Sequence, residues 1–165
     1  MSLGALAPDE VRLPRAPGWP ARLALAVLVV ALVAGAQVGG GVCASGALSL
    51  RERMAARELD AVIISDPENL MYLTDHQTTG YSFFQALIVP LEAEPVMITR
   101  ALEESNVVSR TWLEHSRAYP DSGDAILELV STLRDLRLAD SRVGYERNSY
   151  YFPAHQQDRF HDAFG

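Results

Sequence analysis

LMYLTDHQTTGYSFFQALIVPLEAEPVMITR, residues 70–100, joins a short apolar turn, a polar loop and two strand-like runs. Ser82 to Val89 is rich in aromatic and β-branched residues. Pro90 to Pro95 is turn-like, and Val96 to Thr99 is a second short run, so the pattern predicts a β-hairpin. The loop before it, Thr74 to Tyr81, crowds Asp75, His76, Gln77, Thr78, Thr79 and Tyr81 around Gly80. A polar loop held by a hairpin is where a scaffold displays function, which makes Asp75, His76, Gln77 and Tyr81 the candidate site residues.

Outward from this stretch, strand and helix patterns interleave. Ser49-Leu50-Arg51-Glu52 fits a capping box, predicting that a helix of about three turns opens there. Ala61 to Ser65 is a continuous apolar run, the mark of a strand buried on both faces, and Pro67 suits the first position of a short helix. Ala101 to Val108 predicts a helix, and Thr111 to Tyr119 a short strand or irregular edge. From Asp124 to Leu138, Ile126, Leu129, Val130, Leu133 and Leu136 recur at spacings of three and four, one wide apolar stripe. Arg142 to Glu146 reads as a strand, and Pro153 can open a last helix through Phe164. The expected fold is α/β, a mixed β-sheet with flanking helices. Its core should contain Ile63, Ile64, Leu87, Ile88, Val96, Ile98, Leu129, Val130 and Leu133.

The chain has 165 residues, enough for one domain, expected over 47–165, plus an extension over 1–46. An apolar fraction of 48 % excludes wholesale disorder. All 14 basic residues are arginine, and from Leu50 onward eleven arginines face nineteen acidic residues. That acidic body argues against nucleic acid as a partner, since phosphate needs a clustered basic face. Cys43 is the single cysteine, so no internal disulfide can form. Residues 23–42 are almost wholly apolar or small and follow Arg12, Arg15 and Arg22. A bilayer span needs about 20 such residues, so this hydrophobic N-terminal helix predicts a membrane anchor. Ala34-Gly35-Ala36 offers the rival reading of a signal cleavage site and export. A third reading places the physiological start downstream of Met1.

Candidate chemistry elsewhere is thin. His155 and His161 lie six residues apart on the last helix, on different faces at ~100° per residue, so a shared metal is not expected. His115 falls in the edge segment, and a solvent-exposed His76 is the blander expectation for that loop. Glu103, Glu104, Asp121, Asp124 and Glu128 follow solvated helix faces and turns, giving no metal site. Tyr72, Phe83, Phe84, Tyr145 and Phe160 are read as core or hairpin packing, Trp112 as a half-buried anchor, and one of Tyr150, Tyr151 and Phe152 as a seal on the sheet. No phosphate loop, nucleophile elbow or zinc spacing occurs, and no catalytic residue is assigned.

ELDAVIISDPENLMYLTDHQTTGYSFFQALIVP (58–90), then EPVMITR (94–100) and VGYERNSYYFPAHQQDRF (143–160), resembles the N-terminal domain of the creatinase and Xaa-Pro peptidase (prolidase-like) family. Within it the chain is most similar to the branch containing ectoine hydrolase. The resemblance implies a ribonuclease H-like α/β domain with no cofactor of its own. In that family catalysis belongs to a separate C-terminal pita-bread domain, where the peptidases bind two metals. It implies a non-catalytic domain that takes part in homodimer formation and leans over an active site, with Asp75 to Tyr81 as the access loop. A Gly-Trp-like pair of the resembling branch is replaced here by Thr79-Gly80. The expected partners are a second copy, by weak self-association, and a catalytic domain if one is encoded separately. The alternatives are a membrane-tethered interaction module or a gene fragment without independent function. The family is mostly cytoplasmic, the alternative to a membrane-anchored or exported location.

Overall fold

Residues 41–165 are described by a computed structural model, with side chains from residue 46. The helices are α1 (Gly41–Ala55), α2 (Pro67–Thr74), α3 (Glu104–Arg110), α4 (Ala125–Asp135) and α5 (Ala154–Phe164). The strands are β1 (Ala61–Ile64), β2 (Ala86–Pro90), β3 (Val96–Arg100), β4 (His115–Tyr119) and β5 (Val143–Tyr145). They form a sheet of order β4-β3-β2-β1-β5. The predicted hairpin is present, with β2 antiparallel to β3 and Leu87 opposite Met97. β1 is antiparallel to β2 and parallel to β5, and β3 is parallel to β4. Four strands therefore share one direction and β2 alone opposes them.

Strand side chains alternate between faces, and this sheet uses both. Ala61, Ile63, Ala86, Ile88 and Ile98 join one core cluster with Leu129, Val130 and Leu133 of α4 and Phe160 of α5. Val62, Ile64, Leu87, Val89 and Met97 join the other with Leu50, Met54, Leu70, Leu73 and Val107. Covered faces explain why β1 is an unbroken apolar run. All nine expected core residues are buried.

Several boundaries differ from expectation for identifiable reasons. Ser49 and Glu52 lie inside α1, not at its start, because no proline interrupts residues 41–48 and the helix accommodates Gly46. β2 begins at Ala86 rather than Ser82, since Phe83 N–H is drawn back to Gly80 O and Gln85 turns its side chain toward the loop. α4 stops at Asp135, where Arg137 adopts a left-handed φ of 61° and Leu138 N–H returns to Leu133 O. Asp124 caps α4 by accepting from Ile126 N and Leu127 N, and Arg159 of α5 pairs with its other oxygen.

The apolar stretch 23–42 lies outside the described residues apart from its last two positions, which open α1. Among the described residues no helix is long and apolar enough to cross a membrane.

Candidate functional site

Because β1, β3, β4 and β5 run the same way, their carboxyl ends gather at one end of the sheet. Ligand crevices of open α/β sheets lie at such ends. Ser65, Arg100 and Glu146 mark these ends, and the loop between α2 and β2 covers them.

The loop is built from fixed points. Asp75 terminates α2 in the left-handed region, φ 63°, with its N–H on Met71 O at 2.8 Å. Thr74 Oγ1 donates to Leu70 O and accepts from His76 N–H. Gln85 Nε2 donates to Gly80 O at 3.1 Å, which turns Gln85 Oε1 toward His76 Nε2, 2.7 Å away. A carbonyl oxygen only accepts, so His76 carries a proton on Nε2. Among the described residues its Nδ1 has no hydrogen-bond partner.

Farther along, Thr78 Oγ1 donates to Glu103 Oε2 at 2.5 Å and accepts from Gly80 N–H at 2.8 Å. A Cβ on Gly80 would sit 2.8 Å from Glu103 Oε1, so a side chain there would displace that carboxylate. The Thr78 hydroxyl, then the Asn106 amide, hold Glu103 below the usual carboxylate range despite partial desolvation.

At the rim the aromatics are exposed. Tyr81 is 53 % exposed and stands edge-on to Tyr151, with ring centroids 6.2 Å apart, and Tyr151 meets Tyr150 at 5.8 Å. Phe83 is 45 % exposed and lies under the Arg100 guanidinium, 4.0 Å from its centroid. Arg100 is itself bidentate to Asp121, and that hydrogen bonding raises the Arg100 pKa and lowers that of Asp121. Between loop and α2 lies a groove of ≈ 230 Å³, bordered by Ser65, Pro67, Glu68, Met71, His76, Gln77, Tyr81 and Tyr151.

The structure thus brings His76, Gln77 and Tyr81 to one groove, and leaves Asp75 exposed as a helix terminator outside its lining. His76 is only 3 % exposed, against the expectation of a solvated loop histidine, because Gln85 reaches back across the loop to satisfy it. Tyr72 and Phe83 are partly exposed, Tyr72 with its ring beside Gly46 and Phe83 against Arg100 of the hairpin, whereas Phe84, Tyr145 and Phe160 are buried and Phe152 seals the sheet. Trp112 is the expected anchor, its Nε1 donating to Leu73 O at 2.9 Å. His115 and His155 are exposed, and His161 meets Tyr145 Oη at 2.9 Å. Among the described residues no group of three or more His, Cys, Asp or Glu could hold a metal ion.

Sequence reasoning missed Glu146. Its carboxylate is buried and accepts from Ser65 N (2.6 Å), Ser65 Oγ (3.2 Å), Asp66 N (2.8 Å) and Asn69 Nδ2 (2.5 Å). One side chain at the end of β5 thereby fixes the end of β1 and the first turn of α2, on which the groove is built. The available signal was an acid directly after the buried VGY strand, inside the family pattern.

Comparison with known proteins agrees with this architecture. Residues 48–165 match the family model of the Creatinase/Prolidase N-terminal domain. The chain is 30 % identical over 116 residues to the ectoine hydrolase of Halomonas elongata, covering 64 % of this chain and 29 % of that one. It is 29 % identical over 119 residues to an uncharacterized hydrolase/peptidase of Sinorhizobium fredii, covering 65 % and 30 % respectively. It spans less than a third of the length of these curated relatives. The N-terminal domain of the Xaa-Pro dipeptidase from Lactobacillus brevis has the same fold, with a TM-score of 0.65, 16 % identity, and coverage of 72 % of this chain and 87 % of that one.

Proposed function

The chain belongs to the creatinase/prolidase N-terminal domain family, and on that premise we propose that it acts as a non-catalytic accessory domain of a C–N bond hydrolase. Its task is to shape access to an active site carried elsewhere and to contribute to a dimer. The observation that carries this reading is the loop. Its base is pinned by Gln85 and Glu103, while Gln77 and Tyr81 stay exposed at the rim. A rigid base with a solvent-facing rim suits a surface that meets another body. Gln77 and Tyr81 are the contact residues in this reading, His76 is a positioning residue and Asp75 sets the loop's direction. The metals of the peptidase relatives would belong to the hydrolase domain, not to this one.

The test is hydrolysis of proline dipeptides, creatine and N-acetylated diamino acids by the purified chain, with and without divalent metal. No turnover is expected, and measurable turnover of any substrate overturns the proposal. A second reading, a piece of a longer hydrolase without independent function, is favoured by the short span relative to the curated relatives. An out-of-frame catalytic domain in the nucleotide sequence beyond Gly165 would support it. The membrane-tethered alternative depends on residues 23–42 and would need that stretch to be retained in membranes.

A further inference from the structure

Going beyond the access-loop reading, and independent of it, we propose that the groove between α2 and Tyr81 binds a small organic cation, a guanidinium or alkylammonium group on a short apolar stem. Three features point to that chemistry. The first is size: ≈ 230 Å³ is below the volume typical of cofactor or drug-sized sites and suits a group as large as one side chain.

The second is the wall. Pro67, Met71, Tyr81, Phe83 and Tyr151 supply apolar surface and ring faces, and a ring face carries the negative end of its quadrupole. Arg100, which does not line the groove, lies 4.0 Å from the centroid of Phe83, one ring of that wall.

The third is charge. Glu68 is the only carboxylate lining the groove, no arginine lines it, and among the described residues no ion pair reaches Glu68. Arg100 does not neutralise it, because Asp121 holds that guanidinium. An anion would face the Glu68 carboxylate with no lining arginine to compensate it. A cation finds both the carboxylate and the aromatic rings favourable.

The test is an NMR titration of the full chain with n-butylguanidinium, with n-butanol and n-butyrate as neutral and anionic counterparts of similar length. Saturable shifts of the Tyr81 and Tyr151 ring signals are expected for n-butylguanidinium, weakening as salt is added. Glu68→Gln and Tyr151→Leu should each weaken binding about two- to five-fold, the scale of one exposed ion pair or one cation–π contact. Glu68 is exposed, so Glu68→Gln and the salt series decide the matter even if Tyr151→Leu fails to fold. The proposal is overturned by the absence of saturable shifts, by n-butanol or n-butyrate binding as tightly as n-butylguanidinium, or by undiminished affinity in the folded variants.

Discussion

The two faces of the sheet solve the same burial problem with different side chains. Under α4 and α5 the core adds an aromatic cluster to its aliphatic side chains: Phe152 packs edge-on against Phe84, Tyr145 and Phe160 at centroid separations of 5.3 to 6.1 Å. Phe160 stacks on Phe164 at 5.2 Å. Under α1, α2 and α3 the core is aliphatic, with Leu, Val, Ile and Met filling the space. The aromatic face is closed by packing. The aliphatic face meets the groove at its rim, where buried polar groups such as His76 and Glu146 are held by hydrogen bonds. Rigidity at the site therefore comes from directional bonds that fix individual atoms, and rigidity of the scaffold comes from non-directional contact.

The sharpest way to break this contrast is at the centre of the aromatic face. Phe152→Ala should cost about 3 to 5 kcal/mol, and Ile88→Ala or Leu129→Ala about 2 to 5 kcal/mol, in denaturant unfolding. A loss below about 0.5 kcal/mol, the level of a surface change, would show the core to be misassigned.

Glu146→Ala tests the other kind of rigidity. It leaves the Ser65 and Asp66 amides without their acceptor and should cost about 2 to 4 kcal/mol, since each buried unpaired group costs about 1 to 3 kcal/mol. Its amide-exchange signature should differ from that of Phe152→Ala. Protection should fall first in α2 and the 75–85 loop, and uniform loss across the domain would contradict the hydrogen-bonded role.

A milder perturbation is the pair Tyr81→Ser with Phe83→Ser. The chain is expected to self-associate weakly through this rim, because exposed aromatic area marks interaction surfaces. The double variant should shift sedimentation toward monomer while changing stability by only about 0.5 kcal/mol per site. A strictly monomeric parent at high concentration would show the rim to be closed to partners.

The smallest expected effect is one of pH. Burial depresses the His161 pKa below its ordinary 6.5, so on acidification the unfolded chain takes up this proton before the folded one. The contribution is complete above 6.5 and is lost as pH falls from there toward the folded value. Glu103, Asp121 and Asp124, all held below ordinary carboxylate values, lose their contributions only at lower pH. His161→Phe should flatten the upper part of the stability profile, and an unchanged slope would contradict the assignment.

Much of this was determined by the amino-acid order. The hairpin pairing, the doubly buried β1, the α4 stripe and the nine core positions follow from local periodicity, because strand and helix repeats place apolar side chains on defined faces. The family resemblance was likewise legible in the spacing of short motifs. Tertiary structure decided the geometry of the site, although His76, Gln77 and Tyr81 were already legible in the sequence as its residues. The fate of His76 depended on Gln85 folding back from the start of β2, and Gly80 leaves room for Glu103 arriving from beyond the hairpin. Glu146 became a structural acceptor because β5 lies beside β1, 81 residues from Ser65 in sequence. Tyr81 met Tyr151 by the same closure of the sheet. Periodicity reports which face a residue occupies. It carries no information about which distant polar atom will satisfy a buried donor, and that pairing determines the geometry of a site.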